Sequence, residues 1–275
     1  MIKNISIIIA TLTTSIITIA QNEIGVWEIK EGTLITNDSL SYSSMAQDYF
    51  NTINNTLPKD LIDKYVVSLR LFTDGKDGDL GGLNQMNESV DSWQFDLDTA
   101  DVNIYSKDSI EILDYTHTLI HEYGHLLTLN PSQIELTDDM IQDDNKGYLT
   151  SEGYALKDSY LGIFFKQFWD DELLLEWDNI DNKKNENKRV KLLYEFYLSH
   201  RDNFVTDYAA ESPEEDIAEA WTFFVLSDKP DTNTVKNQKV IFFYQFPELV
   251  EYRQKMRLNI KSIPISYLDS FRTSY

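Results

Sequence analysis

Two of the chain's four histidines stand four residues apart, in His121-Glu122-Tyr123-Gly124-His125. On a helix that spacing stacks both imidazoles on one face, one turn apart. Two nitrogens so placed can share one Zn²⁺ at about 2.0–2.1 Å each. Glu122, about 100° round the helix, then lies beside the ion rather than on it, where its carboxylate can take a proton from an activated water. The bland alternative is a helix that carries two histidines by chance. With so few histidines in the chain, a chance match is on the order of one per cent. The surrounding Leu113, Leu119, Ile120, Leu126 and Leu127 predict a buried helix, in which uncompensated imidazoles are unfavourable.

A catalytic zinc takes three protein ligands and leaves one position open. His117 is two turns from His125, about 12 Å along the axis, so the three histidines cannot all reach one ion. It reads as a neighbour or supporting group. His200 follows an amphipathic segment and reads as a surface residue. The stretch Phe204 to Trp221 is the better source of a third ligand. Ser212-Pro213 predicts a helix start, with serine at the cap and proline in the first turn. Glu215 and Glu219 share one face of that helix. A capping box of Ser212 with Glu215, plus a solvated acidic face, also accounts for Glu214, Glu215 and Asp216. It accounts less well for Glu219, which interrupts the apolar side.

Together the two motifs resemble the glutamate-zincins, zinc metallopeptidases, and in particular the branch that contains anthrax lethal factor and the Pro-Pro endopeptidases. In that branch a tyrosine precedes the ligand glutamate by seven residues and a second glutamate follows it by four, and Tyr208, Glu215 and Glu219 match both intervals. The resemblance implies Glu215 as third zinc ligand, Tyr208 as the group that stabilises the transition state, and Glu219 as the carboxylate that orients a histidine ligand. The wider pattern is similar to bacterial secreted zinc metallopeptidases. It runs from Phe72-Thr73-Asp74-Gly75 through the histidine helix and Leu129-Asn130-Pro131-Ser132-Gln133 to Ser212-Pro213-Glu214-Glu215-Asp216. One departure is the interval from His125 to Glu215, 215 − 125 = 90 residues, longer than in typical glutamate-zincins.

The implied fold is α+β and zincin-like. A small twisted sheet packs an edge strand on the active-site helix over about residues 21–130, and a mainly helical subdomain over 131–275 carries the third ligand. The implied activity is that of a secreted endopeptidase hydrolysing peptide bonds with zinc-activated water, with Glu122 as general base and Tyr208 as oxyanion stabiliser. The rival is a non-catalytic binding or structural protein whose zinc is only a staple; Glu122 argues against it, since a structural site needs no base.

The elements around the motifs follow from local signals. Val26 to Ile29 reads as a short strand. A helix is expected from about Leu40 to Asn54, started by Asn37-Asp38-Ser39 and ended by Leu57-Pro58. Tyr65 to Phe72 and Trp93 to Asp98 read as strands. Between them, Asp77, Asp79, Gly82 and Glu88 fall at positions 1, 3, 6 and 12 of an EF-hand loop, but Gly81 offers no ligand at position 5, and a turn between strands is preferred. As an exposed edge strand, Trp93 to Leu97 would hold substrate by β-augmentation, making Trp93, Phe95 and Leu97 substrate-binding candidates. Asp96, Asp98 and Asp101 read as its solvated side and following turn. Asp108 with Glu111 is expected to cap the histidine helix, which Asn130-Pro131 stops. Residues 132–150 read as an acidic irregular segment. Helices are then expected at about Leu156–Trp169, Val190–Ser199, Val235–Tyr244 and Pro247–Leu258, with a charged turn from Asn179 to Arg189.

Composition narrows the partners. A formal charge of −22 argues against nucleic acid and anionic lipid, leaving a peptide or protein substrate. There is no cysteine, which excludes disulfides and thiolate zinc sites. Lys3 followed by the uncharged run Ile5 to Ala20 predicts an export signal cleaved near Ala20, before Gln21, in preference to a membrane anchor.

Overall fold

A computed structural model describes residues 22–36, 42–76, 78–139, 141–143 and 145–260. The expected export signal, the Asn37-Asp38-Ser39 helix start and Asp77 lie outside those residues. The fold is α+β. The chain divides into two compact units, whose described residues are 22–126 with 255–260, and 127–254.

The first unit contains β1 (Asn22–Lys30), β2 (Thr33–Leu34), α1 (Ser43–Thr56), α2 (Lys59–Tyr65), β3 (Val66–Thr73), β4 (Gly81–Gln85), β5 (Trp93–Asp98) and most of α3 (Ser109–Leu129). Its five strands form one sheet in the order β2-β1-β3-β5-β4. Only the β3–β5 pair is parallel. This order corrects one expectation. β5 is an interior strand, hydrogen-bonded to β3 on one side and β4 on the other. Trp93, Phe95 and Leu97 are 1%, 0% and 1% exposed, so they are core residues and not a substrate-binding surface. Among the described residues the edge strands are β4, next to β5, and the two-residue β2 at the far side. Gly81 is needed in β4: a Cβ would sit 2.6 Å from the Asp96 carbonyl oxygen and 3.6 Å from the Thr118 methyl of α3.

The aspartates at the end of β5 are also not solvated. Asp98 is 0% exposed. It accepts backbone N–H groups of Asp74 at 2.8 Å, Ala100 at 2.5 Å and Asp101 at 3.1 Å. Burial pushes its carboxyl above the usual range, against the pull of those three amides. Asp96 is held by Arg70 at 2.8 Å. Two acids of the turn-rich loop are likewise used on backbone, Asp74 accepting from Asp79 N–H at 3.2 Å and Asp101 from Gly78 N–H at 3.3 Å.

α3 forms as its sequence signals require. The Asp108 carboxylate accepts the N–H groups of Ile110 at 2.8 Å and Glu111 at 3.3 Å, satisfying first-turn donors. Thr116 and Thr118 return their hydroxyls to the carbonyls of Ile112 and Asp114, so neither is left unsatisfied inside a buried helix. Leu129 is the last helical residue, because Pro131 disfavours the helical conformation at Asn130.

The second unit is helical apart from β6 (Ile134–Glu135) and β7 (Tyr154–Ala155), which pair antiparallel. α4 (Tyr160–Phe168), α5 (Asp171–Asp181), α6 (Glu186–Ser199), α7 (Pro213–Leu226), α8 (Val235–Phe242) and α9 (Pro247–Asn259) follow, with 3-10 turns at Tyr208–Ala210 and Phe243–Gln245. α5 fills the stretch between the expected Leu156–Trp169 helix and the expected charged turn at Asn179–Arg189, and it overlaps that turn at residues 179–181. Asp170 caps it by accepting Leu173 N–H at 2.9 Å, acids fill its first turn, and Trp177 anchors it in the core. Among the described residues no helix is long and apolar enough to cross a membrane.

α7 is the centre of this unit, with every residue but Glu214 buried. A helix buried all round must compensate each polar side chain. For Asp216 the partner is Lys239 of α8, 2.5 Å away with both side chains 0% exposed. Trp169 Nε1 donates to the same carboxylate oxygen at 2.9 Å, and the ammonium lies 4.3 Å from the Phe204 ring centre. Burial pushes the lysine down and the aspartate up, while their contact opposes both shifts.

Two stability outcomes follow from these buried charges. Asp98→Ala orphans three amides and should lower unfolding free energy by about 3 kcal/mol, with Asp98→Asn milder. Lys239→Met leaves Asp216 charged without its cation and should cost about 3–5 kcal/mol, most of it recovered in the double variant with Asp216→Leu. Urea denaturation of the purified variants measures both.

Candidate metal centre

The site is built from α3 outward. His121 and His125 are 1% and 9% exposed, and their Nε2 atoms lie 3.1 Å apart with the rings at 80°. Two imidazole lone pairs do not face each other at that distance unless a proton or a cation lies between them. A tetrahedral ion about 2.0–2.1 Å from each nitrogen would separate them by about 3.3–3.4 Å, close to what is found. The donor set therefore fits a metal on its own geometry.

Two groups of side chains bring one ligand atom from each member within 4.8 Å of the others: His121 with His125 and Glu215, and His117 with His121 and Glu219. His121 belongs to both, and no group holds all three histidines, as the helical rise demands. A buried His/His/Glu group in this chain can thus hold a metal ion. The first group contains the expected ligands. In the second, Glu219 stands by His121, the position of a carboxylate that fixes a ligand imidazole's tautomer and orientation. His117 is 1% exposed, its ring stacked on that of His121 at 6.4 Å. Glu122, adjacent to His121, is 0% exposed.

The glutamates are placed by α7. Ser212 Oγ accepts Glu215 N–H at 3.2 Å, and Pro213 opens the helix. Glu215 is 9% and Glu219 1% exposed, so the acidic face is not a solvated one. The Thr206 hydroxyl donates to Glu219 Oε2 at 2.7 Å. Tyr208 is 6% exposed, in the 3-10 turn before α7. Tyr148 donates to Glu214 at 3.0 Å, and burial pushes the Glu214 carboxyl up to about 7. Glu211 is also raised to about 7, first by burial and then by the charge of Glu215.

His200 lies outside both groups. It follows the last residue of α6 and is half-buried, with Nε2 3.0 Å from Glu176. Thr206 is the residue that sequence reasoning passed over. A threonine two residues before Tyr208 signals a local side-chain turn, whereas nothing in the sequence signals its bond to Glu219, thirteen residues on.

Compared with known proteins, the chain matches no family model, no curated protein and no solved structure.

The two groups are separable by experiment. His121→Ala should abolish metal binding under either. His125→Ala and Glu215→Ala should abolish it while His117→Ala retains a stoichiometric ion, if the first group is the site. Equilibrium dialysis followed by elemental analysis reads the difference.

Proposed function

We propose that this chain is a zinc-dependent endopeptidase of zincin-like architecture, secreted after removal of a signal ending near Ala20. The observation that carries the reading is the 3.1 Å approach of His121 Nε2 and His125 Nε2 on the helix that also bears Glu122, with a Glu215 ligand atom within 4.8 Å of both. His121, His125 and Glu215 would hold the ion. Zinc bound by them supplies Lewis acidity, which activates a water and polarises the scissile carbonyl.

The chain's own groups do the rest. The Glu122 carboxylate takes a proton from the attacking water and delivers it to the leaving amine nitrogen. The Tyr208 phenol donates a hydrogen bond to the oxygen on which negative charge develops. Glu219, held by Thr206, keeps the His121 imidazole oriented. The outer edge of β4, unpaired among the described residues, takes the extended substrate backbone in the role first expected of β5. A charge of −22 makes a nucleic-acid substrate unfavourable and leaves peptides and proteins.

The deciding measurement is zinc content alongside cleavage of a mixed peptide library. Wild-type protein should carry one zinc and cut. Glu122→Gln should keep the zinc and lose about 10²–10⁴-fold in rate. Tyr208→Phe should lose about 10²-fold or more with zinc unchanged. A zinc-loaded wild type that cuts nothing in the library would leave the ion a structural one and end the peptidase proposal.

A further inference from the structure

Thr206 is a buried threonine, 5% exposed, and both faces of its hydroxyl are occupied. The oxygen accepts the N–H of Ala209 at 3.1 Å, inside the 3-10 turn Tyr208–Ala210. The proton goes to Glu219 Oε2 at 2.7 Å. A hydroxyl has one proton to give, so both bonds have fixed directions: the turn's amide donates in, and the carboxylate receives. At 2.7 Å to a carboxylate oxygen this is a charge-assisted bond, shorter and stronger than a neutral one. The Asp207 carboxylate accepts Tyr208 N–H at 3.2 Å and secures the same turn from its other end. A single oxygen atom therefore ties the segment bearing Tyr208 to the carboxylate bearing on His121.

We propose that Thr206 is a positioning residue for the metal centre: its hydroxyl holds Glu219 in the orientation that supports His121 and, through the Ala209 amide, holds the Tyr208 turn in register with α7. This inference rests on the metal reading above and deepens it. Glu219 has two oxygens. Occupying Oε2 with the threonine proton restricts rotation of the carboxylate and directs which oxygen remains for an imidazole N–H. Without the hydroxyl the carboxylate keeps its charge and burial but loses its fixed direction. The backbone turn keeps its Asp207 bond but loses its tie to α7. Neither loss removes a ligand, so the effect is on affinity and rate rather than on whether a metal binds.

The test uses the full mature chain. Thr206→Val keeps the branched shape and removes the hydroxyl; Thr206→Ser keeps the hydroxyl and removes the methyl. Zinc affinity by chelator competition should weaken about 10-fold or more in Thr206→Val and return to near wild type in Thr206→Ser. Metal-free melting temperatures of wild type, Thr206→Val and Thr206→Ser should lie close together, so an affinity loss confined to the valine variant is not general destabilisation. The visible spectrum of the Co²⁺-substituted protein should change in the valine variant and not in the serine one, and kcat should fall with KM little moved. Should Thr206→Val fail to fold, Glu219→Gln, which keeps an acceptor oxygen and loses the charge, should reproduce the affinity loss; wild-type affinity there overturns the proposal. So does a folded Thr206→Val with wild-type zinc affinity and cobalt spectrum. If wild type takes up no zinc, or His121→Ala takes up as much as wild type, the metal reading fails first and carries this inference with it.

Discussion

Two imidazole nitrogens 3.1 Å apart inside a protein cannot both present lone pairs to each other, so the pair His121–His125 requires a proton or a cation between them. Much of the surrounding structure serves that requirement. α3 must be helical through both residues for their rings to converge, and it is capped at Asp108 and stopped at Asn130 so that one uninterrupted helix carries them. It is also buried there, with His121 and His125 only 1% and 9% exposed. The 0% exposure of Glu122 beside them puts an acid in the same low-dielectric surroundings, where its charge acts strongly on whatever lies nearby.

The second unit concentrates acid on one helix. Glu214, Glu215, Asp216 and Glu219 sit within two turns of α7, a helix with almost no exposed surface. Three of the four are stabilised in different ways. Asp216 has Lys239 and Trp169, Glu219 has Thr206, and Glu214 has Tyr148. The rise of Glu211 and Glu214 to about 7 records how unfavourable further negative charge is in this stretch. A bound cation at Glu215 would relieve part of that stress, since the charge of Glu215 is one cause of the Glu211 shift. Glu215, Asp216 and Glu219 are buried, so the solvated face that sequence alone also allowed is not what forms.

Local signals carried the secondary structure well where the physics is local. Asp108, Ser212-Pro213 and Asn130-Pro131 act on the turn that contains them, and each did so where expected. Alternating apolar residues identified β5 as a strand. They could not say whether its edges were free, because an interior strand and an edge strand share the same alternation when both faces are packed. That is why Trp93, Phe95 and Leu97 were assigned to substrate and proved to be core. The same limit hid the burial of Asp98, whose three amide donors come from its own turn and from Asp74, 24 residues earlier. It also hid α5, most of which lies before the expected turn at Asn179–Arg189 and which Asp170 caps and Trp177 anchors in the core.

What the sequence determined by itself was chemistry at helical spacing: two histidines and a glutamate on one helix, and two glutamates one turn apart on another. Those relations depend only on the 3.6-residue turn, which any helix imposes. Tertiary structure decided which carboxylate stands by which imidazole, putting Glu215 with His121 and His125 and Glu219 with His117 and His121. It also decided that β4 rather than β5 is the edge strand at that end of the sheet, and that Thr206 and Lys239 bond to buried acids of α7. Such pairings join residues tens of positions apart, and they arise from the requirement that every buried charge find a partner, a condition met only when the whole chain has packed.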